Sequence, residues 1–154
     1  MSDLIMMIGA PASGKTTFAH KLAKKKSNCI VLSSDEIRKS LYGDASVQGD
    51  GNLVFDILYR TAIDYLKQSY CVIVDATFCN KRNRIDAIER LRPYADKVIA
   101  EVIDTPYKEC CRANMGRTRH VPEKVIEKMY NNLKKNPPTH KEGFDVIHVH
   151  VRWQ

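Results

Sequence analysis

The sequence predicts an α/β fold in three layers, with a mostly parallel, five-stranded sheet covered by helices on both faces. Three observations carry that prediction. Short apolar runs alternate with segments of helical spacing along the whole chain. Most of these runs are continuously apolar rather than alternating, as strands buried on both faces are. A glycine-containing turn, Gly9-Ala10-Pro11-Ala12-Ser13-Gly14-Lys15-Thr16, joins the first run to the first helical segment.

Taken in order, Leu4-Ile5-Met6-Met7-Ile8 reads as the first buried strand. Thr17 to Lys26 then carries Phe18, Ala19, Leu22 and Ala23 at helical spacing. Cys29-Ile30-Val31-Leu32 is a second strand running into Ser33-Ser34-Asp35, and a brief helix is expected from Asp35 to Leu41. The stretch from Gly43-Asp44 to Gly49-Asp50-Gly51 is a loop. Asn52 is expected to cap the next helix, whose Leu53, Val54, Ile57, Leu58, Ala62, Tyr65 and Leu66 share one face. Cys71 to Asp75 is the third strand, and Ile85, Ile88 and Leu91 mark a helix ending before Pro93. Val98 to Ile103 is the fourth strand, and Pro106 opens a helix. A helix near Pro122 presents Val125, Ile126, Met129, Tyr130 and Leu133; after Asn136-Pro137-Pro138, Val146 to Val151 closes the sheet.

A length of 154 residues suits a single domain spanning 1–154. The formal charge of +7 is compatible with a polyanionic partner, although a nucleoside triphosphate alone would reward it too. Five cysteines without a C-x-x-C pair suit a reducing cytosol, with Cys29 and Cys71 expected as buried thiols in strands. His148 and His150 share one face of the last strand, but no further ligands are spaced to join them in a metal site. No apolar run approaches the length that crosses a membrane, so the expectation is a soluble, cytoplasmic protein without a membrane partner.

The turn from Gly9 to Thr16 fits the phosphate-binding pattern G-x-x-x-x-G-K-[ST] in the strand–turn–helix context it requires. Backbone N–H groups of Gly9, Ala12, Ser13, Gly14, Lys15, Thr16 and Thr17 can turn around phosphates, helped by the positive end of the helix dipole. Lys15 reaches the β- and γ-phosphates, and the Thr16 hydroxyl can ligate Mg²⁺. An alternative reading, an ordinary strand–turn–helix, leaves the glycines and Lys15 unexplained. Parallel sheets bind ligands beyond the carboxyl ends of their strands, which brings in Asp35, Asp75 and Asp104. Asp75 ends an apolar run as a Walker B acid does and would hold Mg²⁺ opposite Thr16; its plainer role would be a turn or cap.

Asp35 could likewise be a helix cap, but Arg38 lies one helical turn on. A carboxylate there can accept the proton of an acceptor hydroxyl while the guanidinium binds an acceptor phosphate. Arg112, Arg117 and Arg119 put three guanidiniums near the end of a helix. Most charge runs are solvated turns, yet a lid over about 112–120 could neutralise charge on a transferring phosphoryl group.

These residues together resemble the 5′-kinase domain of polynucleotide kinases, the phage end-healing and bacterial RNA-repair type. The resemblance covers nearly the whole chain. It rests on Gly9-x-Pro11-x-x-Gly14-Lys15-Thr16, Ser34-Asp35-x-x-Arg38, Val74-Asp75-Ala76-Thr77, Arg112-x-Asn114-x-x-Arg117, Val121-Pro122 and Glu142-Gly143-Phe144-Asp145. It implies a P-loop kinase fold with a small arginine-bearing lid, and ATP and Mg²⁺ as donor and metal. It also implies Asp35 as general base, Arg38 on the acceptor phosphate, Arg117 on the donor, and a 5′-hydroxyl of RNA or DNA as acceptor. Phe78 stands where relatives usually carry an asparagine, and could stack on a base or fill space. With no phosphatase or ligase domain in the chain, other proteins would supply those steps. Two rivals are a small-molecule kinase of the same fold and a nucleotide-dependent switch, which would need no acceptor base.

Overall fold

The computed structural model describes residues 2–45, 49–118 and 120–151. Its strands are β1 (Asp3–Ile8), β2 (Cys29–Ser33), β3 (Cys71–Asp75), β4 (Lys97–Asp104) and β5 (Val146–Val151). They form one parallel sheet in the order β2-β3-β1-β4-β5. The helices are α1 (Lys15–Lys25), α2 (Ser34–Tyr42), α3 (Gly51–Lys67), α4 (Lys81–Leu91), α5 (Tyr107–Met115) and α6 (Glu123–Lys135). Short 3₁₀ turns at Arg92–Tyr94 and His140–Glu142 precede β4 and β5.

The pleat of β1 divides the core. Leu4, Met6 and Ile8 face the layer formed by α3, α4 and the end of α6, against Leu58, Ala62, Ile88, Leu91 and Leu133. Ile5 and Met7 face α1, against Ala19, Phe18 and Leu22. Every one of these five β1 side chains is buried, each contributing about 1.5–3 kcal/mol by leaving water. The central strand is thus held from both sides, which fixes the loop at its carboxyl end.

Local chemistry differs from expectation at four places. The cap of α3 is Asp50, whose carboxylate accepts the N–H groups of Asn52 and Leu53, so Asn52 lies inside the first turn. The helix expected from Asp35 begins at Ser34, with Ser33 as its cap accepting the Glu36 N–H at 3.3 Å. On α6 the buried positions are Ile126 and Leu133, which leaves Val125 exposed. Cys29 and Cys71 are half-buried rather than buried and stand on paired rungs of β2 and β3. Burial and a hydrogen bond with Cys29 push the Cys71 thiol up to about 12. No described helix is long and apolar enough to cross a membrane.

Candidate phosphate-binding and acceptor site

The turn after β1 has the backbone that a phosphate cradle needs. Ala12 has φ 63 and Gly14 φ 96, both left-handed, and Gly14 leads directly into α1. A side chain at Gly9 would meet the Ser13 hydroxyl at 2.7 Å and the Ile103 carbonyl at 3.1 Å, so the loop tolerates only glycine there. Three contacts hold it. Gly9 N–H donates to the Thr77 carbonyl (3.1 Å), Ser13 N–H to the Ala10 carbonyl (3.2 Å), and the Thr105 hydroxyl to the Ser13 carbonyl (2.6 Å). Thr105, at the end of β4, was not singled out by the sequence, because a threonine after a strand has no local signature for such a bond.

Asp75 ends β3 beside this loop. The Thr16 hydroxyl donates to its Oδ2 at 2.7 Å, and the Lys15 ammonium lies 3.9 Å from its Oδ1. Lys15 and Asp75 are both largely buried there. The Asp75 Oδ1 and the Ser13 hydroxyl are buried without a hydrogen-bond partner, a costly state in a closed interior. Such orphans suit a ligand: a divalent cation at Asp75 and Thr16, and a phosphate oxygen at Ser13. The donor set therefore fits Mg²⁺ and a nucleoside triphosphate.

The second carboxylate comes from the neighbouring strand. Ser33 and Asp75 are register partners, so the chain leaves β2 and β3 side by side and Asp35 follows in the first turn of α2. Ser33 supplies the cap of α2, and Asp35 pairs with Arg38. Arg38 Nη1 donates to Asp35 Oδ1 at 3.3 Å; its side chain is only 13% exposed, and its Nε is buried without a partner.

The lid residues divide. Arg117 is half-buried in the turn after α5, and Asn114 ties that turn down: its amide donates to the Val121 carbonyl (2.8 Å) and its oxygen accepts the Val121 N–H (2.9 Å). Arg112 points into solvent and pairs with Glu109 at 2.9 Å. Arg119 lies outside the described residues. Thr17 is exposed at the start of α1. Asp104 is drawn toward α6 by Lys134 at 2.8 Å instead of joining the loop. Phe78 is 3% exposed and packs edge-on to Phe55, so it fills the core and offers no face to a base. His148 and His150 both contact the buried carboxylate of Glu101, at 2.9 and 2.6 Å, and no group able to hold a metal ion occurs among the described residues.

A parallel sheet in the order 2-3-1-4-5, with this loop after β1 and a carboxylate closing β3, defines a P-loop nucleotide-binding protein of the kinase type. Residues 4–136 match the family model AAA_33, described as an AAA domain, and the chain belongs to that family. It is similar to the adenylate kinase of Wolinella succinogenes, with 28% identity over 134 residues, covering 77% of this chain and 70% of that one. Among solved structures it resembles a chain of the Pnkp1/Rnl/Hen1 RNA repair complex, with TM-score 0.81 and 26% identity over 94% of its length. The match spans 46% of that longer chain. A sugar kinase from Janibacter sp. shares the fold, with TM-score 0.59 and 16% identity, covering 97% of this chain and 84% of that one. The likeness to a chain of the RNA repair complex supports the resemblance that the sequence motifs carry.

Proposed function

We propose that the protein transfers the γ-phosphoryl group of ATP to the 5′-hydroxyl of a nucleic acid end. The observation that carries this reading is the Asp35–Arg38 pair, placed in α2 directly after the strand that pairs with β3, with one guanidinium nitrogen left without a hydrogen bond. A protein that only binds and releases nucleotide has no use for a carboxylate and a guanidinium at the acceptor position. The likeness to a chain of an RNA repair complex supports the same acceptor.

In this reading Asp35 accepts the proton of the attacking hydroxyl as its oxygen bonds to the γ-phosphorus in line, and ADP carries away the electrons of the broken bond. Arg38 binds the phosphate next to the 5′-hydroxyl through its Nε and remaining amino group. Lys15 and the loop N–H groups hold the β- and γ-phosphates, and Arg117 meets the charge that spreads over the transferring group. Thr16 and Asp75 would hold Mg²⁺, which when bound neutralises the donor phosphates. Most of the catalysis is then positioning and charge stabilisation.

A second reading, a kinase of small molecules, is favoured by the charge of the acceptor side. The segment that carries the acceptor pair, residues 27–75, holds seven acidic and four basic side chains. A groove of about 680 Å³ between α3 and α4 is lined by Asp50, Asp56, Asp86 and Glu89, with Arg90 as its one cation. The relationship to an adenylate kinase points the same way. Radiolabel transfer from ATP to 5′-OH oligonucleotides, nucleoside 3′-phosphates and simple sugars decides between them. Oligonucleotides are expected to be labelled best; exclusive labelling of a sugar or free nucleoside overturns the first reading.

A further inference from the structure

Arg84, on α4, is a fully buried arginine, and every one of its nitrogens is engaged. Its Nε donates to Glu142 Oε1 at 2.7 Å and its Nη2 to Glu142 Oε2 at 3.1 Å, a two-pronged pair with both side chains at 2% exposure or less. Nη2 also donates to the Asn136 carbonyl at 2.7 Å, and Nη1 to the Phe78 carbonyl at 3.0 Å. Taking an arginine and a glutamate out of water is expensive, and an apolar pair of similar volume would fill this space at no such cost. What an apolar pair could not do is bind backbone. Arg84 ties together the loop after β3, the end of α6 and the turn before β5.

The loop after β3 is where this matters. Phe78 has φ 47, a left-handed backbone that a side chain disfavours, so something must hold it. One residue earlier, the Thr77 carbonyl takes the N–H of Gly9, the first residue of the phosphate loop. Three residues earlier stands Asp75, whose buried Oδ1 has no hydrogen bond. Glu142 is itself held: the Thr139 hydroxyl donates to it at 3.3 Å. The following Gly143 has φ 121, with room for no side chain, since a Cβ there would meet Ile88 Cγ2 at 2.8 Å.

We propose that Arg84 and Glu142 are positioning residues. Through the Phe78 carbonyl they fix the segment from Asp75 to Thr77, and so set the spacing between the Asp75 carboxylate, the Thr16 hydroxyl and the Gly9 turn. The inference rests on the reading of Asp75 and Thr16 as the pair that holds a nucleotide-bound divalent cation. It assigns a role to the Glu142-Gly143-Phe144 stretch, which lies 67 positions beyond Asp75 in the chain.

The test is Mn²⁺ affinity in the presence of ADP, read by electron paramagnetic resonance on Glu142→Gln, Arg84→Lys and the double variant Arg84→Met/Glu142→Met. Each is assayed well below its own melting temperature. The double variant exchanges the ion pair for apolar volume, so it is expected to stay folded while losing the clamp. All three are expected to bind Mn²⁺ roughly ten-fold or more weakly, the usual loss when a metal ligand's support is removed. Binding of ADP without metal is expected within about two-fold of the wild type, by the same argument that only the metal-side geometry is disturbed. Lower melting temperatures with Mn²⁺ affinity unchanged would make the pair purely structural and overturn the inference. A wild-type protein that binds no Mn²⁺ with ADP would instead overturn the reading of Asp75 and Thr16.

Discussion

The two sides of the crevice differ in charge. On the β2 side, residues 27–75 carry seven acidic and four basic side chains; on the lid side, residues 107–135 carry eight basic and three acidic ones. The net charge of +7 is therefore unevenly spread, and little of it lies where the acceptor is expected to bind. On the acceptor side the Arg38 guanidinium is largely buried and paired with Asp35, and a separate groove between α3 and α4 is edged by carboxylates. Under the proposed function the donor triphosphate is expected on the basic side. An acceptor gripped by Arg38 alone is held by one phosphate near its reacting end, and further phosphates would have to meet α5, the lid or α6. Under the proposed function that arrangement would read an end rather than a strand, which suits a 5′-terminus and disfavours tight binding along a polynucleotide tract.

The hinge of the comparison is the phosphate loop, and its loss is expected to be the largest effect. Lys15→Met removes the charge facing the β- and γ-phosphates and is expected to lower turnover by at least about 10³-fold. The fold should survive, since the 3.9 Å contact to Asp75 is the one ion pair Lys15 makes among the described residues. Turnover near that of the wild type would remove the donor from this loop altogether.

Asp35→Asn breaks the acceptor side while sparing the donor side. A drop in kcat of about 10²–10⁴-fold with ATP affinity unchanged is the expectation for loss of a positioned base. Loss of ATP affinity instead would shift Asp35 to the metal and erase the division between the two sides.

The sheet and the position of the phosphate loop at its edge were legible in the sequence. The phosphate loop, Asp35 and Asp75 follow from apolar runs ending in polar residues at the edge of a parallel sheet, and Arg38 from its place one helical turn after Asp35. The alternation of strands and helices gave the five strands; the apolar runs of β1, β3 and β4 are buried on both faces, whereas the edge strands β2 and β5 are half-buried or exposed. What escaped was long-range pairing. Arg84 looks like one polar position of an amphipathic helix until Glu142, 58 residues away, is beside it. Asp50 and Asn52 are both capping residue types two positions apart, so composition alone could not say which one starts α3. Arg112 was expected at the donor, yet Glu109 three residues earlier holds it at the surface, a pairing visible in the spacing. Phe78 could have faced a base or the core; a left-handed backbone and Arg84 turn it inward.

Two arginines sharpen the contrast at intermediate size. Arg38→Ala is expected to raise the KM of acceptors bearing the adjacent phosphate by about 10–100-fold, the worth of one charged hydrogen bond, and to leave acceptors without that phosphate nearly unaffected. Arg117→Ala should lower kcat by a similar factor for every acceptor, because its expected partner is the donor. Initial-rate kinetics with nucleosides and nucleoside 3′-phosphates separate the two. If both variants behaved alike, the two sides would not be doing different jobs.

The smallest expected effect concerns salt. Counterion release lowers binding of a single strand with a log–log slope of about −0.7 for each phosphate neutralised. Were a long tract of phosphates bound, the slope would grow with oligonucleotide length. With Arg38 as the one cation of the acceptor pair, acceptor binding is expected to show a slope of about −0.7, nearly independent of length beyond the first nucleotides. Lys124, Lys128 and Lys135 lie exposed along α6, at spacings that keep them near one face of the helix. Replacing all three by glutamine should change the slope only if the strand crosses to the lid side. A slope that steepens with length and falls in this triple variant would mean that the basic side binds the acceptor as well as the donor. A slope of zero for every oligonucleotide would leave no phosphate contact at all, and would move the acceptor to a small uncharged hydroxyl compound.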